Sequence, residues 1–362
     1  MDSKRISLFY LLMTLLNTTL GIGLLSIPIA TSISGLGFFI LLSLLISLLN
    51  FFGNQALIYC NHYIKAKNYI LFIQTVSSNV FLSRFLHTLM FFSMLFIMIS
   101  YSIVIQQSLT ASFTSFSKNF YINIPDFMLD RNGSFWVIFV NILIAPFIYF
   151  RRFKSFGPVA IISIIFCLIV VACIFVCCLF YSDTNLDNQV KIEYFNFQQF
   201  LYAVPIIAFS YSTFHTVFDF AKEIEGKKSK VIRKAIILQH SIEIVIYTLV
   251  GFLCYYKYGE SVRNFHYGNI LLAFDSNRYV TSIANLAAVI YVALCQVTKF
   301  KPVLNLLTLM CRSTYRESFI WNTFGVTVIH IMQILLSCFF IKIGIKIHLI
   351  FVFVGIVCPI FT

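Results

Sequence analysis

Runs of about 20 apolar residues, the length a helix needs to cross the hydrocarbon core of a bilayer, recur along nearly the whole chain with short polar stretches between them. They fall near residues 7–30, 37–60, 85–109, 134–150, 158–181, 198–220, 235–257, 279–298 and 318–341, with a tenth run from 343 to the end. The fourth is short. The first apolar run, Ile6 to Ala30, is too long for a signal-peptide core and lacks a small-residue cleavage site, so it reads as a span. The pattern predicts an all-α polytopic membrane protein, a single transmembrane domain over residues 1–362.

Composition agrees. Of 362 residues, 60% are apolar and 11% charged, more apolar surface than a soluble domain can hide. The formal charge of +13 would point to nucleic acid in a soluble protein, but here the basic residues sort by loop, and no nucleic-acid partner is implied. With a cytoplasmic N-terminus, the inner segments hold Lys4 and Arg5; Lys65, Lys67 and Arg84; Arg151, Arg152 and Lys154; Lys222, Lys227, Lys228, Lys230, Arg233 and Lys234; and Lys299, Lys301, Arg312 and Arg316. That is 18 of the 26 lysines and arginines, while Asp183, Asp187 and Glu193 fall on an outer loop. The bias predicts that this integral membrane protein has its N-terminus in the cytoplasm; the membrane expected is the plasma or the vacuolar one. The Lys227 to Lys234 cluster is either a topogenic solvated loop or a contact for anionic membrane lipids. Cysteines such as Cys60, Cys167, Cys173, Cys177, Cys178 and Cys338 sit in or beside apolar runs without metal-ligand spacing and read as small core residues. Neither a metal nor a cofactor is expected. Asn132-Gly133-Ser134 is a glycosylation acceptor on an outer loop, close against the fourth span.

Two spans break the apolar pattern. In Asn17-Thr-Thr-Leu-Gly21-Ile-Gly23-Leu-Leu-Ser-Ile-Pro28-Ile-Ala30, two glycines and a proline interrupt a helix that should run unbroken through lipid. Freed backbone groups cost several kcal/mol each at that depth unless buried in protein or lining a polar cavity. The stretch is therefore a binding site or a Gly-x-Gly packing notch. The sixth span repeats the theme with Pro205, Ser210, Tyr211, Ser212, Thr213, His215 and Asp219. Two interrupted helices five spans apart are what two inverted five-helix repeats place at equivalent positions, with substrate between them near the midplane.

The string Asn17-x-x-x-Gly21-x-Gly23-x-Leu25-x-x-Pro28-x-Ala30 resembles the first-helix signature of the amino acid/auxin permease family, amino acid transporters of the LeuT-type fold. Pro205 to Phe209, His215 and Lys222-Glu223-Ile224 resemble that family's sixth helix and the loop after it, and Pro302 resembles the proline that closes its eighth. The resemblance implies a 5+5 inverted-repeat bundle with broken first and sixth helices, the repeats covering about 7–181 and 198–362. It also implies an amino acid substrate. Three features depart from the family's pattern. The stretch from Phe209 to His215 is one residue longer, the apolar runs stop near the tenth of the family's eleven helices, and no serine or threonine lies between Ile283 and Val297. Sodium-coupled members place a hydroxyl ligand on that eighth helix, where this chain has Ala293, Leu294 and Cys295, so a proton as co-substrate, or no coupling ion, is expected.

Each candidate residue has two readings. Gly21, Ile22 and Gly23 would present N–H groups at the start of a half-helix, whose positive dipole end suits a carboxylate. Asn17, a turn earlier, offers a side-chain carbonyl to a cation or makes an interhelical contact. Ser210, Tyr211, Ser212 and Thr213 leave carbonyls and hydroxyls for a substrate ammonium, walled by Phe209 and Phe214, or their hydroxyls bond back to their own helix. His215 and Asp219, four apart, share a helical face and form a proton-handling pair or a packing contact. Glu243, midway along the seventh span, is a candidate for ion coupling or is satisfied by His240. Ser100, Tyr101 and Gln106 on the third span, with Asn285 and Tyr291 on the eighth, are cavity-lining groups or helix-to-helix bonds.

The reading that absorbs most of these features is a secondary active transporter, a symporter or an uncoupled carrier, moving amino acids by alternating access. No ATP-binding motif is present. A lipid-modifying intramembrane enzyme would need clustered ligands such as His-Glu-x-x-His, which the sequence lacks. The remaining alternative is a receptor or scaffold that binds an amino acid without moving it.

Overall fold

The computed structural model describes residues 8–64, 66, 69–77, 79–121, 123–130, 132–149, 157–181, 197–212, 229–259, 262, 268–275, 278–310, 319–345 and 347–357. These form helices α1 (Leu8–Leu20), α2 (Gly23–Ser34), α3 (Leu36–Ile64), α4 (Tyr69–Val76), α5 (Val80–Phe120), α6 (Asp126–Leu129), α7 (Phe135–Ile148), α8 (Gly157–Phe180), α9 (Phe197–Ser210), α10 (Ser229–Tyr258), α11 (Tyr279–Met310), α12 (Phe319–Ile343) and α13 (Ile347–Val357). Among the described residues there is no strand.

Every apolar run is mainly helical where it is described, and the first is two helices. The axes of α1 and α2 differ by 51° across their break. Six further helices are long and apolar enough to span alone, while α7 and α9 are shorter apolar helices. The third and eighth spans run past their expected ends: α5 reaches Phe120 and α11 continues through Pro302 to Met310. The serines and threonines from Thr110 to Ser117 in the first case, and Lys299 and Lys301 in the second, drew those limits too tightly. The small helices α4 and α6 had no counterpart among the apolar runs. Asn79 starts α5 by accepting the N–H groups of Phe81 and Leu82, at 2.9 and 3.3 Å.

Burial separates centre from periphery. Of their most apolar stretches, 78% of α5 and 72% of α11 are buried, against 33% for α3 and α12. Leu41, Leu45, Leu48 and Phe52 of α3 stand exposed at helical spacing, a face that suits lipid. Two packed groups result, joined by α8, which lies against α1 and α10 as well as α11. Helices α5, α7, α8 and α12 surround α11, while α10 lies against α1, α2 and α3, and α9 against α2 and α13. The first group is tied by buried amides. Gln333 donates to Ser102 Oγ at 2.6 Å, Gln296 to Asn141 Oδ1 at 2.8 Å, and Asn141 to Ser102 Oγ at 3.3 Å. Such interhelical bonds contribute about 0.6 kcal/mol each in a membrane, enough together to hold four helices in register.

The approach of α13 to α9 needs a glycine. A Cβ on Gly355 of α13 would collide with the carbonyl of Pro205 on α9, backbone against backbone, which no side-chain rotation relieves. Gly355→Ala should therefore destabilise the protein by about 1–3 kcal/mol, seen as a lower melting temperature in detergent. An unchanged melting temperature would show that α9 and α13 do not meet this way.

Candidate functional site

The break between α1 and α2 follows from Leu20-Gly21-Ile22-Gly23. Gly21 adopts φ +25°, a region L side chains rarely enter, and Ile22 (φ −72°, ψ −11°) precedes α2 without a side-chain cap. A helix that stops leaves its last four carbonyls without donor partners and the next helix its first N–H groups free. The exposed ends are therefore a run of carbonyl oxygens on α1 and a run of N–H groups opening α2 at Gly23.

Side chains from two other helices cap every one of those carbonyls. Cys295 Sγ donates to Asn17 O at 3.2 Å and lies 3.0 Å from Asn17 Oδ1. Lys299 Nζ donates to Thr18 O at 2.8 Å. The Tyr247 hydroxyl lies 3.0 Å from Thr19 O and 3.4 Å from Leu20 O, and Tyr291 donates to Gly21 O at 2.6 Å. Tyr247 is also 3.0 Å from Ser210 O, the last carbonyl of α9, so its single proton is shared between the ends of α1 and α9.

The two helices meet closely there. A Cβ on Gly23 would lie 2.9 Å from Ser210 Oγ and 3.1 Å from Ser210 Cα, and one on Gly21 would lie 2.7 Å from the Tyr101 hydroxyl. Both readings of the Gly-x-Gly pair therefore apply: a backbone break and a packing notch. Ser210 Oγ bonds back to Ile206 O at 2.8 Å, and Phe209 stacks on Phe351 with centroids 4.8 Å apart. Tyr211 is fully buried, edge-on to Tyr247 at 5.1 Å. Thr213, Phe214, His215 and Asp219 lie outside the described residues. A cavity of about 10 Å³, roughly one water molecule's room, is lined by Gly21, Ile22, Gly23, Tyr101, Phe209, Ser212 and Lys299 among others. Seating an amino acid requires these groups to part. Asn17 Nδ2 and Ser212 Oγ are buried around the break without a hydrogen-bond partner among the described residues.

Glu243 sits one turn from Tyr247 on α10, and its Oε1 accepts from Thr19 Oγ1 and from Gln239 Nε2, the latter at 3.0 Å. His240 Nδ1 lies 3.6 Å from Oε2 and 3.4 Å from Ser47 Oγ. All five residues are buried. The sequence reading named His240 as the partner. The structure adds Gln239 and Thr19, the second of which ties the carboxyl to the break itself. Of the third- and eighth-span candidates, Tyr101 and Tyr291 reach the break, whereas Gln106 and Asn285 line a separate cavity of about 160 Å³ between α5, α11 and the 3-10 turn Ile270–Ala273. Ser100 bonds back to Phe96 O at 2.9 Å.

Lys299 and Tyr247 were missed. Lys299 counted as a loop cation because it follows the expected end of the eighth span, yet it is 3% exposed and well inside α11. Extending that span to Pro302 would have put a lysine in the membrane and drawn notice. Tyr247→Phe should leave the carbonyls of Thr19, Leu20 and Ser210 short of a donor, costing about 1–3 kcal/mol, read as a lower melting temperature. No change on melting would mean that other donors cap both helix ends.

The fold is similar to that of MhsT, solved in complex with L-phenylalanine, with a TM-score of 0.60 over 99% of this chain and 87% of that chain at 11% identity. That likeness shows the LeuT-type fold. No curated protein matches the sequence. A family model described as transmembrane amino acid transporter protein matches residues 4–361. Because that match takes in the break, its caps and every described helix, the chain belongs to the transmembrane amino acid transporter family, a transporter rather than an enzyme.

Proposed function

We propose that this amino acid transporter works by alternating access around the α1–α2 break, with a free zwitterionic amino acid held between the broken helices. The observation that supports this is the junction itself. Opening N–H groups at Gly23 and closing carbonyls of α9 at Ser210 come together in one buried place, a positive helix end for a carboxylate and a negative one for an ammonium. In this reading Gly21, Ile22 and Gly23 take the carboxylate, and Ser210, Tyr211 and Thr213 face the ammonium. Phe209 and Phe214 wall the side chain. Asn17, held by Cys295 through its carbonyl oxygens, keeps Nδ2 for the break.

Coupling, in this reading, is to protons or to no ion. Cys295, where a hydroxyl is expected in a sodium site, already spends its S–H on Asn17, and Glu243 is bonded to Thr19 beside the break. His215 and Asp219 are the further proton carriers proposed. The two repeats run from about 7 to 181 and from 198 to 362. The N-terminus is cytoplasmic, the Lys227 to Lys234 cluster faces anionic lipid, and the membrane is the plasma or vacuolar one.

Two outcomes test the reading. Gly21→Val and Gly23→Val should insert and accumulate yet bind amino acid about tenfold or more weakly, ~1.4 kcal/mol or more; normal uptake by both variants would mean the glycines only pack. Uptake into proteoliposomes at fixed membrane potential should persist when choline replaces sodium, and a strict sodium requirement with no response to outside pH would refute the coupling.

A further inference from the structure

The cavity of about 160 Å³ between α5, α11 and the Ile270–Ala273 turn lies apart from the break: among the described residues, none from α1, α2 or α9 lines it. Two amides of its lining keep a bare oxygen. Gln106 Nε2 donates to Asp130 O at 3.1 Å and Asn285 Nδ2 to Thr281 O at 3.0 Å. A backbone carbonyl can only accept, so in each amide the oxygen is the end left over. Gln106 Oε1 and Asn285 Oδ1 are buried without a hydrogen-bond partner among the described residues, on side chains 0% and 1% exposed, and Gln107 Oε1 is unpartnered in the same lining. A buried acceptor without a donor is costly, so three around one space call for a ligand that brings N–H groups.

The rest of the lining narrows the ligand. Ile103 of α5, Leu272 of the turn and Ile341 of α12 supply apolar wall, and Lys118 of α5, an exposed residue, supplies a cation. An ammonium suits the amide oxygens, a carboxylate suits the lysine, and a small apolar body suits the wall between them. An engineered cavity of about 150 Å³ holds benzene, so the space fits an amino acid of the size of alanine or proline. We propose that this cavity is a second amino acid site, which takes the ammonium on Gln106 and Asn285 and the carboxylate on Lys118. The turn is tied to α5 by Asn269 Nδ2, 3.2 Å from Ser108 Oγ, and packs on α2 as well as on α5 and α11. An occupant braces the turn against α2 and so slows rearrangement at the break. That control of uptake, unlike the binding itself, rests on the amino acid transport reading.

The experiment uses the full-length protein in detergent and in proteoliposomes, with labelled L-alanine and L-proline as probes. Gly23→Val, which blocks the break, should still bind one of them. In that background Asn285→Leu or Gln106→Leu should weaken the binding about tenfold or more, and Lys118→Glu about threefold or more. Neither probe bound by Gly23→Val, or binding indifferent to all three substitutions, overturns the inference and leaves the cavity to water. If the leucine variants do not accumulate, Lys118→Glu, at an exposed position, decides alone. If Gly23→Val does not accumulate, the same substitutions in wild type should remove one bound probe molecule per chain, and no loss overturns the inference. In proteoliposomes at saturating amino acid, Asn285→Leu and Lys118→Glu should take up substrate severalfold faster than wild type; equal or slower uptake by both overturns the control. A protein that binds a probe here and carries no amino acid fails the transport reading and leaves the site standing.

Discussion

The constraint on which the rest depends is that the carbonyl oxygens ending α1 have no water to bond with. A helix stopped inside a bilayer must find donors in protein for its last turn, at several kcal/mol for each oxygen left alone. Here those donors are a thiol, an ammonium and two phenols, set at positions 295, 299, 247 and 291 on two helices that embrace α1 from different sides. The break is thus held open by side chains and not by chain stiffness. Removing helix hydrogen bonds at Gly21 to Gly23 is tolerable only because α10 and α11 replace them.

That replacement ties two helices to one place, the end of α1. Tyr247 is on α10, which packs on α1, α2, α3 and α8, so its bond joins the break to that helix. Cys295, Lys299 and Tyr291 belong to α11, whose neighbours α5, α7, α8 and α12 are pinned by the Ser102, Asn141, Gln296 and Gln333 amides. Contacts from α11 to α1 add to the packing of α1 on α8 and α10. If α1 tilts to admit substrate, these are the bonds that must part, and packed interfaces change by discrete rearrangement and not by continuous give. The cavity left by Gly21 to Gly23 is too small for an amino acid in the form described, as a closed arrangement of such groups should be.

The fold was legible because its two signals are local and strong. Apolar runs give spans directly, and Gly21, Gly23 and Pro28 in one of them announce a break whatever surrounds it. The lining of the site was less legible. Tyr101 and Tyr291 were named among several polar residues, but nothing in their own spacing says that they meet Gly21 while Gln106 and Asn285 do not; that follows from how α5 and α11 cross α1. Glu243 stood out by its cost in lipid, and its bond to Thr19, 224 positions away in sequence, came only with the fold. Lys299 escaped because charge was used to end a span, and a buried cation that follows an apolar run looks in sequence like the first residue of a loop.

The most direct measurement is the alkylation rate of Cys295 by a small thiol reagent in a variant whose other nine cysteines are replaced. Cys295 is buried and bonded to Asn17, so it reports whether α1 and α11 separate at the break. The account predicts that the rate changes severalfold with an amino acid that is transported, and does not change with one that is not. A Cys295 that stays equally unreactive with every amino acid, in a protein that nevertheless transports, would mean that the gate lies elsewhere and that the caps on α1 are static.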